Sequence, residues 1–153
     1  MSTPPLFHVS AGRLDAAVVT LDGAEGRHAA RVRRIRAGER VQLSDGAGHR
    51  VLCTVTGVAG DALTCAVVER ADVPRPEPWL VVAQALVKGE GAERAVETMT
   101  EAGVDEILPW QADRSIVRWR GDRAERSARR WRETATQAAK QARRAWTPLV
   151  TDV

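Results

Sequence analysis

The sequence has little lysine, little cysteine and no long apolar run, and each scarcity excludes something. No stretch of its 153 residues approaches the roughly 18 apolar residues that read as a membrane span. Met1–Gly12 lacks the apolar core of a signal peptide, so the expected location is the cytoplasm rather than a membrane or the exterior. Two cysteines, Cys53 and Cys65, stand apart with no C-x-x-C spacing, which suits a reducing compartment. His8, His28 and His49 are scattered and none falls at metal-ligand spacing with a cysteine. No metal is therefore expected, and no nucleophile constellation stands out. Lysine numbers 2 against 21 arginines. A GC-rich genome produces that bias, and so does selection for the guanidinium fork that grips phosphate.

What is present is a chain of ordinary domain size. It is 44% apolar and nearly charge-balanced, with 23 basic and 20 acidic residues for a net +3. That excludes a disordered chain and allows a real core in one domain or two small ones. The charge is unevenly placed. Arg27 to Arg40 holds six arginines against Glu39, a local +5, and Arg114 to Arg144 holds eleven basic residues against three acids, a local +8. Between them, Pro74 to Asp113 has three bases and eight acids, a local −5. A single run of this kind reads as a solvated helix face. Two separate arginine-dense runs make a nucleic-acid backbone the leading partner.

Pro74-Arg75-Pro76-Glu77-Pro78 places three prolines in five residues, which marks an extended linker over 74–78. Before it, residues 1–73 read as β. Ala16 to Leu21 is a short apolar strand ending at Asp22-Gly23, and Glu25 to Arg34 is a short basic helix closed near Gly38. Val41-Gln42-Leu43 runs into the turn signal Asp45-Gly46. Val51, Cys53 and Val55 share one face of the next strand, and Leu63, Cys65 and Val67 share a face of the one after Gly60-Asp61. Both cysteines fall on inward faces, and buried reduced thiols are favoured over a disulfide or a metal pair. The expected unit is a small barrel of several short strands with one basic helix.

After the linker the period changes. Trp79 to Leu86 is almost continuously apolar, as a parallel strand buried on both faces should be. The loop Lys88-Gly89-Glu90-Gly91 follows; it is either a phosphate cradle or an ordinary connection, being neither G-x-G-x-x-G nor a Walker sequence. A helix is expected from Ala92 to Ala102 with Gly103 just past its end, then a strand over Val104–Pro109. Asp122 to Ala145 forms a long helix with Ala124, Ala128, Trp131, Ala135, Ala138 and Ala142 on one stripe, suited to close approach to a sheet or a partner. Leu149–Val153 begins another strand. The order β-α-β-α-β is the first part of an open parallel sheet. Only half of such a sheet is written in 79–153, so a large apolar face is expected to lie open. The expectation is a truncated or cleaved form of a longer protein, the alternative being a partner chain that completes it. Glu90, Glu93, Glu97 and Glu101 share a helix face; they read as solvated charges, with Glu101 also able to order a site.

These pieces together resemble the ribosomal RNA small subunit methyltransferase E family. His28-Ala29-Ala30-Arg31-Val32-Arg33-Arg34, then Gly38 and Leu43-Ser44-Asp45-Gly46, is similar to that family's H-x-x-R-V-L-R…G…D-G. Gln84 to Glu90 matches its strand and K-G-[DE] loop, and Thr100-Glu101-Ala102-Gly103-Val104 its T-E-L-G-V. Pro109 with Asp113-Arg114-Ser115 matches its I-x-P…E-R-S, and Trp131-Arg132, Gln137 to Gln141, Arg144 and Pro148 follow its R-W…A-x-E-Q-x-x-R…P. The likeness runs over nearly the whole chain in order. It departs at Glu97-Thr98, Lys140 and Ala142-Arg143, and the family's Gly-Pro-Glu-Gly-Gly loop, which forms the knot and holds S-adenosylmethionine, has no counterpart here.

The resemblance implies an α/β protein: a PUA-like RNA-binding β-barrel over 1–73, then the first part of a SPOUT-type (α/β-knot) parallel-sheet domain over 79–153. It implies a homodimer that moves a methyl group from S-adenosylmethionine to N3 of a uridine in the decoding region of 16S rRNA on the small ribosomal subunit. The alternative is a non-catalytic RNA-binding protein or a dimerisation fragment. The donor's site is expected in the missing C-terminal segment, so the chain alone is expected to be inactive. Arg31, Arg33, Arg34 and Arg36 are expected to meet RNA phosphates. Lys88, Arg114 and Arg144 match family positions and are expected to face RNA or the site. Glu101 and Gln141 are either site-ordering residues or hydrogen-bonding residues at the core's edge. No catalytic base is assigned.

Overall fold

Apolar side chains at every second position can all be buried on one side only if the chain is extended, and this period governs the first half. A computed structural model describes residues 3–153, and in it β1 (Leu6–His8), β2 (Val18–Leu21), β3 (Arg40–Ser44), β4 (His49–Ala59) and β5 (Ala62–Asp72) form one five-stranded sheet. The order is β1-β3-β4-β5-β2, with β1 parallel to β3 and every other pair antiparallel. Val51, Cys53 and Val55 are buried along β4, and Leu63 and Cys65 along β5, on the faces the alternation assigns them. They enclose a core with Phe7, Leu21, Val41 and Leu43. Cys53 lies opposite Val67 and Cys65 opposite Val55, so the two thiols are not a cross-strand pair, and both are free. Burial pushes the Cys53 thiol up to about 12 and the Cys65 thiol up to about 11, which leaves them unreactive at neutral pH.

Three features differ from the sequence reading. β1 and a 3-10 turn at Arg13–Asp15 add to the unit without a strong local pattern. β4 and β5 are not short but 11 residues each, with register shifts at Leu52/Cys53 and Val55/Gly57. The basic helix is broken in kind: α1 (Gly23–Arg27) runs into a π-helical turn over His28–Val32. Arg34 ends that segment with a left-handed φ of 52°, and the Ile35 N–H donates back to the Ala29 carbonyl at 3.1 Å.

The second half alternates strand and helix. β6 (Val81–Ala85), α2 (Gly91–Glu101), β7 (Glu106–Trp110), α3 (Asp122–Gln141) and β8 (Leu149–Val150) form a parallel sheet in the order β6-β7-β8. Val82, Ile107 and Val150 face a core shared with Val96 of α2 and with Ala128, Trp131 and Ala135 of α3. The small alanines of the α3 stripe let the helix lie close, and Trp131 fills what remains. Gly103 ends α2 with φ 97°, as its place after the helix requires.

β6 corrects an expectation. Its apolar run predicts burial on both faces, but Leu80 and Val81 are about half exposed. Among the described residues β6 pairs only with β7, and both helices pack against one face, so the other face keeps Val81, Trp110 and Leu149 open. An open apolar face on this sheet is what the sequence reading expects.

The chain divides into two compact units, Met1–Pro74 and Arg75–Val153. Most of the proline segment thus belongs with the second unit. The reason is Arg75, whose guanidinium lies 5.2 Å from the Trp79 ring centroid and 5.1 Å from that of Trp146. No helix among the described residues is long and apolar enough to cross a membrane.

Candidate functional site

In the first unit a single glycine sets the position of the basic segment. Gly26 is buried against backbone, and a Cβ there would collide with the Asp61 carbonyl and lie 2.6 Å from the Leu21 carbonyl oxygen. Only glycine lets α1 sit this close to the β4–β5 turn. That approach brings Arg27 and Arg31 to Asp61: Arg31 Nε donates to Asp61 Oδ1 at 2.6 Å, and Arg27 Nε lies 3.5 Å from Oδ2. The hydrogen bond from Arg31 holds the Asp61 carboxyl below the ordinary carboxylate range and raises the Arg31 guanidinium. Arg33, Arg34 and Arg36 follow on the exposed side and form no ion pair among the described residues. The four arginines expected to meet phosphate are therefore brought together, but Arg31 is partly neutralised and the other three are not. Asp61 is the member that sequence reasoning missed; its Gly60-Asp61 turn signal marked a bend and nothing about a partner thirty residues away.

The second unit treats its expected residues differently. Lys88 is exposed on the loop leaving β6, and Arg114 is exposed on the segment after β7. Arg144 turns inward instead. Its side chain is 13% exposed, and its guanidinium donates to Asp105 Oδ1 at 2.6 Å and to the carbonyls of Thr100 and Val104. Asp105 is buried and takes the Leu80 N–H on its other oxygen at 3.1 Å. Arg144 therefore pins the ends of α2 and α3 to the start of the sheet, and its donors are spent inside the unit. Glu101 and Gln141 are exposed at the ends of α2 and α3 and hydrogen-bond to no side chain among the described residues. These helix ends feed the starts of β7 and β8, whereas Lys88 leaves the far end of β6. The structure does not bring Glu101 or Gln141 to Lys88.

What gathers at the far ends of β6 and β7 is a cavity of about 390 Å³. Its walls include Lys88, Gly89 and Glu90 of the β6–α2 loop, Val117 and Trp119, and Arg123, Ser127, Arg130 and Trp131 of α3. Trp119 and Trp131 are buried with ring centroids 5.1 Å apart at 78°, an edge-to-face pair. The Trp119 backbone N–H donates to Gln111 Oε1 at 2.9 Å, which ties the two ends of the 111–119 segment together. Arg130 Nε lies 3.0 Å from Glu93. Open α/β sheets bind ligands at the carboxyl ends of their strands, and this hollow is at that end. Three cations face two carboxylates, one of which is spent on Arg130. The lining is therefore net cationic, which suits an anionic group. Among the described residues no cluster of three or more His, Cys, Asp or Glu side chains could hold a metal ion.

A β unit carrying an arginine-rich helical segment, followed by a parallel α/β sheet with a cationic hollow at its strand ends, defines a two-unit α/β protein. Family comparison agrees on both halves: residues 21–68 match an RNA methyltransferase PUA domain and residues 75–153 match an RNA methyltransferase domain. The chain belongs to the RNA methyltransferases of the ribosomal RNA small subunit methyltransferase E family. It is 45% identical over 148 residues to the ribosomal RNA small subunit methyltransferase E of Mycobacterium bovis, covering 97% of this chain and 56% of that protein. Its counterpart in Bacillus subtilis is 31% identical over 140 residues, covering 91% and 55%. The crystal structure of a ribosomal RNA small subunit methyltransferase E from Neisseria gonorrhoeae bound to S-adenosyl methionine superposes with a TM-score of 0.84 at 25% identity, covering 98% of this chain and 62% of that one. The fold is thus the PUA-type unit followed by the SPOUT-type sheet that the motifs imply, and the chain spans about half the length of the curated relatives it matches.

Proposed function

We propose that this chain acts in methylation of N3 of a uridine in the decoding region of 16S rRNA, on the small ribosomal subunit, with S-adenosylmethionine as methyl donor. The observation that carries the reading is the joint match of the two units, in order, to the PUA and catalytic domains of RNA methyltransferases. A homodimer in the cytoplasm belongs to the same proposal. Arg33, Arg34 and Arg36, with Arg31 held by Asp61, are the orienting phosphate contacts; Lys88 and Arg114 serve the second unit in the same way.

N3 methylation needs the uracil N3–H proton removed or the resulting anion stabilised, and the ring aligned with the methyl group. A cationic hollow suits an anionic base or its phosphate. No side chain is assigned as the base. A second reading, favoured by the exposed Arg33, Arg34 and Arg36 of the first unit, is that these residues by themselves bind RNA without catalysis.

The test is nucleoside mass spectrometry of 16S rRNA from cells with and without the gene. The expected result is loss of one N3-methyluridine from the decoding region and its return on complementation. An unchanged modification profile refutes the reading. Calorimetric titration of the chain with S-adenosylmethionine separates the two versions: no binding fits RNA binding alone, and tight binding overturns the expectation that the chain is inactive.

A further inference from the structure

We propose that the solvent face of α3 and the cavity beside it form one continuous groove that takes an RNA strand through its phosphates. This rests on the RNA-binding reading above and adds a surface in the second unit that none of the family motifs identified. The cavity shares Arg123, Ser127 and Arg130 with a shallower hollow of about 610 Å³ that also has Arg126 and Arg129 in its wall. The two therefore run into each other along the helix.

Three observations favour a polyanion over a merely solvated face. The buried residues of α3 occupy one side, Ala128, Trp131, Ala135, Ala138 and Ala139, which leaves Arg123, Arg126, Arg129 and Arg130 on the other. These four crowd the half of the helix nearest the cavity, while the half from Glu133 to Gln141 has Lys140 as its one cation. A general arginine surplus would spread along the helix. Secondly, Arg123–Arg126, Arg126–Arg129 and Arg126–Arg130 are spaced three and four apart, where like charges repel. Arg123, Arg126 and Arg129 nonetheless form no ion pair among the described residues, even with Asp122 and Glu125 within a turn. Their charge is left for something outside the unit. Thirdly, Arg132, one residue on from this cluster, is committed elsewhere, to the Val150 carbonyl at 3.1 Å and to Asp152. The helix thus separates the fastening Arg132 from Arg123, Arg126 and Arg129, which are presented unpaired, with Arg130 beside them on Glu93. Anionic phosphates spaced along a strand match a row of guanidinium groups, and single-stranded RNA follows such grooves through its backbone.

The test is fluorescence anisotropy of a fluorescein-labelled single-stranded RNA oligonucleotide titrated with the 153-residue chain, across about 50 to 200 mM salt. The double variant Arg126→Glu/Arg129→Glu is expected to bind on the order of tenfold more weakly, with a salt slope shallower by about 1.4 for two lost phosphate contacts. Arg126→Lys/Arg129→Lys keeps the charge and is expected to keep the slope. Glu133→Arg, in the same hollow, is expected to bind more tightly with a steeper slope, an outcome that unfolding cannot imitate. If the wild-type chain binds RNA while the double variant and Glu133→Arg leave affinity and slope unchanged, the α3 groove is overturned and the first unit's arginines carry the binding. If the wild-type chain does not bind RNA even at low salt, the groove and the RNA-binding reading fail together.

Discussion

Arg34 closes the helical segment of the first unit, and Arg143-Arg144 closes α3 in the second. Both segments end in the same way, with Arg34 at φ 52° and Arg143 at φ 53°, the two non-glycine residues with positive φ among those described. The next step differs. After Arg34 the chain buries Ile35 and leaves the arginine in solvent. After Arg143 it buries an arginine, because Asp105 waits inside with one oxygen unfilled and two carbonyls stand nearby. A guanidinium serves as ligand or as fastener according to what lies within its reach, and its neighbours in sequence do not reveal which.

Arg144→Ala should break the fastening side of this comparison with the largest effect. It leaves a buried carboxylate uncompensated, so a loss of about 3–5 kcal/mol in chemical denaturation is expected. A loss below about 1 kcal/mol would return Arg144 to the surface and make it available to RNA again. Gly26→Ala comes next. The added methyl group meets the carbonyls of Leu21 and Asp61, so destabilisation of about 2 kcal/mol is expected, together with displacement of the Arg31–Asp61 pair. Full stability in that variant would show that α1 can retreat without cost.

Smaller effects on stability but clear ones on binding are expected from the presented side. Arg33→Ala/Arg34→Ala should change stability by no more than about 0.5 kcal/mol and flatten the salt dependence of RNA affinity by about 0.7 per lost contact. Arg34→Gly sharpens the point. Relief of left-handed strain of about 1–2 kcal/mol exceeds glycine's entropic cost of about 0.5–1 kcal/mol, so the variant should be slightly more stable and yet bind RNA more weakly. A variant that is both less stable and unchanged in affinity would contradict the role given to this side chain.

The smallest effect concerns pH. His49 Nδ1 lies 2.6 Å from Asp45 Oδ2, and that hydrogen bond raises the imidazole above its ordinary 6.5. On the carboxyl, burial pushes upward, but bonds from the Ala47 and His49 N–H groups and the imidazole outweigh it and leave Asp45 below 3.8. A raised histidine stabilises fully below its unfolded value and loses that contribution as pH rises through its folded value. A lowered carboxyl stabilises above its unfolded value and loses its contribution as pH falls through its folded value. Stability from this turn should therefore be greatest in mildly acidic solution and decline above about pH 6.5. His49→Ala should remove that decline from a stability–pH series; an unchanged series would place its origin elsewhere.

Much of the fold is legible along the chain. The alternation of Val51, Cys53 and Val55, and of Leu63 and Cys65, picks out the inward faces of β4 and β5, because a strand's side chains alternate regardless of what they meet. The 3-and-4 spacing of Ala128, Trp131, Ala135 and Ala138 finds the buried side of α3 for the same kind of reason. β1 escaped notice because three residues carry no period. β6 misled because an apolar run records what a strand can bury, not how many layers cover it.

The candidate site divides along the same line. Sequence by itself determined that arginine would be concentrated in two blocks, that one lies on a helical segment after a β strand, and that the order of motifs is that of an RNA methyltransferase. Those properties are local or linear, and they survive any placement of the elements. Tertiary structure alone decided that Asp61 restrains Arg31, that Asp105 captures Arg144 from 39 positions away, and that Arg123 and Arg130 stand over the same hollow as Lys88. Charge interactions act over a few ångströms of space with no regard for separation along the chain, so only the folded backbone can say which charges meet.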